Sequence, residues 1–335
     1  HTNIAVCTIF GAVSGSSLST AAAIGSVAYP EMRQRGYNRD MIVGSLAGGG
    51  TLGLLIPPSL SFLIFGALTE TSIGRLFIAG IIPGLMVALM FMVYILVCCL
   101  RNPSLYPRES ITISTLRIFT NALSIWPILM LIFAIMGSII LGWATPTEAA
   151  AVGVAVAVLI AFLWGDFNTQ KLLESFYRSV QLYAAIGLVI VGATILAQSV
   201  AILGVPQAIL ESAAASGLGK YGVLTLIVLT YLLLGCIFDG LSLMIMTLPI
   251  VFPLLTGLGF DPIWLGVMVT IMIEIGQVTP PVGLNLSVLS SLTNNEVTLG
   301  RAALATIPYW LIFLLALVIL TMFPQIALVL PNTFF

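Results

Sequence analysis

Apolar residues run through this chain in long blocks, separated by short polar or Gly/Pro-rich pieces. Leu76 to Leu100 and Ala302 to Phe323 are long enough to span a bilayer, since about 20 helical residues cross ~30 Å of hydrocarbon. Spans are predicted at 76–100, 122–143, 146–165, 182–203 and 302–326. Two pairs of regions break this pattern. Residues 1–30 and 221–256 read as helical hairpins, while 40–68 and 262–292 read as helices interrupted by a Pro-Pro pair. The hairpin arms from Leu18 to Tyr29 and from Leu241 to Phe252 hold 12 residues each. That is about 18 Å of helix, too short to cross, so both hairpins are expected to be re-entrant. The short alternating segments of a β-barrel are not seen. The expected fold is an all-α polytopic membrane protein.

The irregular regions repeat each other at a constant offset of 223 residues. Ser16-Ser17-Leu18-Ser19 matches Asp239-Gly240-Leu241-Ser242, and Tyr29-Pro30 matches Phe252-Pro253. Gly36-Tyr37-Asn38 matches Gly259-Phe260-Asp261, and Pro57-Pro58 matches Pro280-Pro281. Farther on, Ser72-Ile73-Gly74-Arg75 pairs with Thr298-Leu299-Gly300-Arg301, and Pro83 with Pro308. Gly/Pro-interrupted apolar segments in corresponding places of two halves point to a secondary transporter. Broken backbone at membrane depth is tolerated only around a buried site or a cavity. Three regions follow: a first repeat at 1–100, scaffold helices with a surface segment at 101–220, and a second repeat at 221–335.

Composition strengthens this picture. The chain is 60% hydrophobic and 7% charged over 335 residues, against about a quarter charged in soluble domains. Net charge is −1, which gives no footing for a nucleic-acid partner. Cys7, Cys98, Cys99 and Cys236 lie in apolar runs without metal spacing, and His1 is the single histidine. The chain opens inside an apolar segment without Met, so a preceding N-terminal part is expected.

Placing Arg33, Arg35 and Arg39 in the cytoplasm and counting crossings puts Arg101, Arg108, Arg117, Lys171, Arg178 and Arg301 there too. Only Arg75 and Lys220 of the 11 basic residues fall outside, the asymmetry expected of cytoplasmic loops. The same count leaves five crossings between the loops at 31–39 and 254–262. Five is odd, so the repeats are expected to be mutually inverted.

The repeats imply sites at their irregular corners. The tip at Gly11-Ala-Val-Ser14-Gly15-Ser16-Ser17-Leu18-Ser19 offers hydroxyls, close backbone approach and a helix N-terminus suited to a carboxylate. The second tip, Phe238-Asp239-Gly240-Leu241-Ser242, brings a carboxylate to the equivalent place. Ile56, Pro57 and Pro58 free carbonyls beside Ser59; Val278, Thr279, Pro280 and Pro281 do so near Gly283 and Asn285. Unwound carbonyls of this kind coordinate sodium in transporters. Small residues also line helix contacts in membranes, and Asp239 could coordinate a cation, carry a proton or cap the helix it precedes. Glu274 lies in an apolar segment opposite Thr51 of the first repeat, and its role stays open. Thr145-Pro146-Thr147-Glu148 reads as a capping box, and 166–181 as an amphipathic surface segment. Arg75 and Arg301 read as interfacial anchors.

Other classes fit less well. An intramembrane serine hydrolase needs a base beside its serine, yet His1 is the only histidine, and Gly11-Ala-Val-Ser14-Gly15 misses the G-x-S-x-G elbow. A passive channel lacks a filter motif or charged ring. A proton-coupled carrier of the same architecture stays open beside a sodium-coupled one.

Several motifs together resemble the large membrane subunit (the DctM-like M subunit) of the tripartite ATP-independent periplasmic, or TRAP, transporters. They are Ser14-Gly15-Ser16-Ser17, Pro30-x-Met32-x-x-Arg35-Gly36-Tyr37, Ile56-Pro57-Pro58-Ser59, Ser72-Ile73-Gly74-x-Leu76-Phe77, Ala144-Thr145-Pro146-Thr147-Glu148-Ala149-Ala150 and Thr279-Pro280-Pro281-Val282-Gly283. The chain resembles a member lacking its first scaffold helices. The resemblance implies a non-enzymatic, elevator-type inverted-repeat transporter in the bacterial inner membrane, without a cofactor, taking up organic anions with sodium as coupling ion. It implies two protein partners, a small membrane subunit (Q type) and a soluble periplasmic binding protein (P type). One sodium would lie among Ser14, Gly15, Ser16, Ser17, Ile56, Pro57 and Pro58, and another among Phe238, Asp239, Gly240, Val278, Thr279 and Pro281. Substrate would sit between the tips, against Ser16, Ser19, Ser59, Asp239, Ser242, Gly283 and Asn285.

Overall fold

The computed structural model describes residues 1–107, 125–165, 167–215, 217–280, 283–293 and 296–335, and the regular structure among them is helical. In chain order the helices are α1 (Thr2–Ser14), α2 (Ser17–Gln34), α3 (Arg39–Leu55), α4 (Leu60–Thr69), α5 (Ile73–Arg101), α6 (Trp126–Ile140), α7 (Pro146–Trp164) and α8 (Thr169–Ile202). There follow α9 (Val205–Ala215), α10 (Lys220–Gly235), α11 (Gly240–Gly257), α12 (Pro262–Gln277), α13 (Leu284–Leu292), α14 (Leu299–Met322) and α15 (Gln325–Phe334). Among the described residues, 6 helical stretches are long and apolar enough to cross a membrane. The chain divides into two compact units, His1–Pro107 with Ala193–Phe335, and Arg108–Gly192.

In the larger unit each predicted hairpin is a helix pair with an irregular tip, α1–α2 and α10–α11, and each predicted interrupted helix is a pair broken at Pro-Pro, α3–α4 and α12–α13. The centre is formed by α3 and α12. Every residue from Ile42 to Leu55 is buried, and so is every residue from Ile263 to Gln277. A helix apolar on all sides belongs in such a place. On α5, by contrast, Leu85, Leu89, Val93, Leu96 and Leu100 are exposed at three- and four-residue spacing. A bare apolar stripe of that kind is a face for lipid.

The repeats show in matched contacts. A Cβ on Gly11 would stand 2.7 Å from Gly53 Cα, and one on Gly235 would stand 2.8 Å from Gly276 Cα. In both halves, the first hairpin arm therefore meets the first arm of the interrupted helix backbone to backbone, one turn before the tip. Likewise, Leu55 O abuts Gly80 of α5, while Val278 O accepts a hydrogen bond from Thr306 Oγ1 of α14 at 3.1 Å.

Contacts along α14 set the direction of the two halves. Arg301 at its start pairs with Asp40 at the start of α3 (Nε–Oδ1 2.8 Å). Near its end, Leu320 O accepts a 2.8 Å hydrogen bond from Trp264 Nε1 at the start of α12. These places are about 28 Å apart along the helix. The loops predicted on opposite faces thus lie at opposite ends of α14. Arg33 and Arg39 share Glu296 at the first end, and Leu105, just past Arg101, accepts a backbone bond from Asn38 there. The Arg33 guanidinium, then the Tyr29 hydroxyl, hold the Glu296 carboxyl below its ordinary value. Lys220 lies over the Tyr221 and Phe260 rings, with Phe260 stacked on Trp264, at the opposite end.

Several expectations need correction. The short hairpin arms are longer than the sequence implied. α2 and α11 each have 18 residues, about 27 Å, because the helices run on through Pro30 and through Pro249 and Pro253. Membrane helices tolerate proline where neighbours serve the freed groups, so the length argument for re-entrance falls. From Thr169 on, the predicted surface segment joins the span at 182–203 in one helix, α8, of 34 residues. The last predicted span separates into α14 and α15 at Phe323-Pro324. Helix α9 had no counterpart in the reading. Arg108, Arg117, Asp166 and the start of the span at 122–143 lie outside the described residues.

The smaller unit holds α6, α7 and the first part of α8. The expected capping box starts α7: Glu148 N donates to Thr145 Oγ1, and Thr145 N donates to Glu148 Oε2 at 2.8 Å. Trp126 and Trp164 meet edge to face at 4.6 Å.

Candidate functional site

The first tip folds around its own hydroxyls. Gly15 adopts φ 59°, which ends α1, and Ser16 caps α2 by accepting from Ser19 N. Ser14 Oγ lies 2.7 Å from Thr20 Oγ1, and both hydroxyls donate to Ser16 O. The first break lies against this tip. Leu60 N donates to Gly15 O at 3.4 Å, and a Cβ on Gly15 would be 3.2 Å from Pro58 O. A Cβ on Gly53 would be 2.8 Å from Ser16 O and 2.6 Å from Thr20 Oγ1, so glycine there permits the approach. Ser14, Gly15, Ser16, Pro58 and the unpredicted Thr20 thus form one oxygen-rich corner, the donor chemistry a hard monovalent cation needs.

Two predicted residues of this corner have other work. Ser59 is buried, donates to Leu54 O at 2.5 Å and caps α4 by accepting from Phe62 N. Ser17 is buried and donates to Gln277 Oε1 at 2.5 Å. Ile56 and Pro57 complete the break, and Ser19 is exposed at the start of α2.

At the second tip, Asp239 caps α11, with Oδ2 accepting from Ser242 N at 2.8 Å and Oδ1 from Leu241 N at 3.4 Å. Phe238 beside it is exposed. At the second break Val278 is buried, its carbonyl taken by Thr306, while the Thr279 hydroxyl donates to Ile275 O. Gly283 takes φ 41°, where a Cβ would meet Thr279 O at 3.1 Å. Asn285 is fully buried, and neither its Oδ1 nor its Nδ2 has a partner. Pro281 lies outside the described residues.

Gln277, which sequence reasoning missed, joins the tips. Its Oε1 holds Ser17, and its Nε2 is 2.6 Å from where a Cβ on Gly240 would stand. Ser17 and Gly240 are repeat-equivalent, so the two tips converge on one side chain. A polar residue ahead of Thr279-Pro280 in an apolar helix was the available signal. Truncating either member of the Ser17–Gln277 pair strands a buried polar group, which costs about 1–3 kcal/mol. Ser17→Ala, Gln277→Leu and the double variant should show a coupling of about 1 kcal/mol in chemical unfolding of the detergent-solubilised protein. Additive losses would mean that the bond contributes nothing.

Residues 1–326 match the family described as "Tripartite ATP-independent periplasmic transporter, DctM component". The chain belongs to the DctM family of TRAP transporters. It is 36% identical over 331 residues to the C4-dicarboxylate TRAP transporter large permease protein DctM of Pseudomonas aeruginosa, covering 98% of this chain and 76% of that protein. It is 33% identical over 338 residues to the ectoine TRAP transporter large permease protein TeaC of Halomonas elongata, covering 99% and 77%. It is 31% identical over 337 residues to the sialic acid TRAP transporter large permease protein SiaM of Vibrio cholerae, covering 100% and 77%. These are transporter permeases and not enzymes, which removes the hydrolase alternative. A DctM-family permease is a multi-pass protein of the bacterial inner membrane, and the 6 candidate spans among the described residues fit that place.

Proposed function

We propose that this DctM-family chain carries a small organic anion inward together with sodium, as an inverted-repeat elevator. The observation that carries the reading is the meeting of both hairpin tips at Gln277, with the first Pro-Pro break packed on the first tip. Inverted repeats are supported by α3 and α12 starting at opposite ends of α14. The oxygens of Ser14, Ser16, Thr20 and Pro58 suit one sodium, and the Asp239 carboxylate with Thr279 suits another. The carboxamide of Asn285, buried and unbonded, is the group left to receive a substrate carboxylate. Such a group costs stability unless something pairs with it. The relatives' names join C4-dicarboxylates, ectoine and sialic acid, all small carboxylates, so that is the substrate class proposed. A small membrane subunit and a periplasmic binding protein complete the system.

The test reconstitutes the full-length protein with its small subunit in liposomes and adds the binding protein loaded with labelled carboxylate. Uptake should require an inward sodium gradient and fall to background with potassium instead. Ser16→Ala should lose most of that sodium-dependent uptake while still folding. Equal uptake without sodium, driven by a pH step, would replace sodium with a proton.

A further inference from the structure

Glu274 is the only fully buried acidic side chain among the described residues, and neither carboxyl oxygen has a hydrogen-bond partner. It lies one turn after Thr270 and one turn before Gln277, so all three share a face of α12. That face is turned to the first repeat at both ends. Thr270 Oγ1 donates to Ser61 Oγ at 3.2 Å, and Gln277 receives the Ser17 hydroxyl. Ser61 follows the first break and Ser17 the first tip. The carboxyl therefore sits between those two corners, where the symmetry partner offers Thr51.

Among the described residues, no cation offsets it. On the helices packed against α12, the charged residues sit at helix ends with partners of their own: Asp40 with Arg301, Arg39 with Glu296, Arg75 with Asn332, and Lys220 over the Tyr221 and Phe260 rings. Glu70 caps the far end of α4, and Arg101 ends α5. Helices α11, α13 and α15 carry no charged residue. Of the tyrosines on those helices, Tyr231 bonds to Thr247, and Tyr94 and Tyr309 meet edge to face beside Gly48, with the Tyr309 hydroxyl, like the carboxyl, buried and unpartnered. An ionised carboxylate here would carry a desolvation cost of several kcal/mol with nothing to offset it. A neutral carboxylic acid carries far less.

We propose that Glu274 is a proton-binding site of this carrier, occupied while the first tip and break are closed over it and emptied when they part. On opening, the carboxyl O–H bond breaks, entering water accepts the proton, and a hydrated carboxylate is left; closure reverses the step. The role in the cycle rests on the carrier reading above, whereas occupancy of the site does not.

The first test is therefore independent of transport. Infrared spectra of the full-length protein at neutral pH should show a protonated-carboxyl C=O band that vanishes in Glu274→Gln, a close mimic of the neutral acid. A spectrum with no band lost overturns the proposal. In proteoliposomes with the partner subunits, wild-type uptake should change with pH, and that response should be lost in Glu274→Gln. A variant that follows the wild-type pH curve overturns the proposal. So does one that loses all uptake while Glu274→Asp keeps a pH-independent rate, the mark of a carboxylate needed for a metal cation. If the glutamine variant does not fold, Glu274→Asp must move the band, and an unmoved band assigns it to another group and again overturns the site.

Discussion

Asp239→Asn should reduce sodium-dependent uptake about 100-fold, a loss of ~2.7 kcal/mol, and leave the protein's stability within about 0.5 kcal/mol of wild type. The two effects separate because the side chain does two kinds of work. Its oxygens cap α11 through Ser242 N and Leu241 N, and asparagine caps a helix about as well as aspartate. Charge is what the substitution removes, and charge is what a cation at this tip would use. Asp239→Ala should lose the transport and about 1 kcal/mol of cap as well. Uptake by liposomes under a sodium gradient, beside thermal unfolding of the same preparations, measures both. Normal uptake by the asparagine variant would reduce Asp239 to a cap and leave the second proposed sodium without its carboxylate.

Gly276→Val should destabilise the larger unit by about 3 kcal/mol. A Cβ there would stand 2.5 Å from Gly235 Cα and 3.0 Å from Gly235 O. Backbone on a packed helix cannot swing aside as a side-chain end can. The hairpin arm must lift off α12, which opens the contact between α10 and α12 one turn from the second tip. Gly300→Ala is the matched control: it sits in the first turn of α14 with nothing within 4 Å of a new Cβ. Alanine there should be neutral or stabilising by up to about 1 kcal/mol. Equal melting temperatures for the two variants would contradict the close approach.

The elements with a local cause could be read from the chain. Pro57-Pro58 and Pro280-Pro281 interrupt helices wherever they are placed, and Thr145 with Glu148 start α7 by a bond between near neighbours. The repeat offset and the count of crossings set the loops at 31–39 and 254–262 apart, and the contacts of α14 put them at its opposite ends. What failed was the reading of a proline as an end. Pro30 and Pro253 lie inside helices that continue past them, and no local pattern reports the neighbours that allow it. The join of 166–181 to 182–203 was missed because a charged stretch followed by an apolar one looks the same bent or continuous. At the candidate site, the tip serines, the breaks and Asp239 were visible because repetition singled them out. Gln277 was not. Its place depends on Ser17, 260 positions away, and symmetry could not flag it, because the equivalent residue is Leu54.

That inequality has a consequence for how such a duplicated architecture can evolve. Ser17 and Gly240 occupy corresponding places and adjoin the same amide, so the space around it is shared by the two repeats and occurs once. Two identical halves would send two glutamines into room for one. Here one half supplies Gln277, and the other places the apolar Leu54, itself almost wholly enclosed, at the corresponding position.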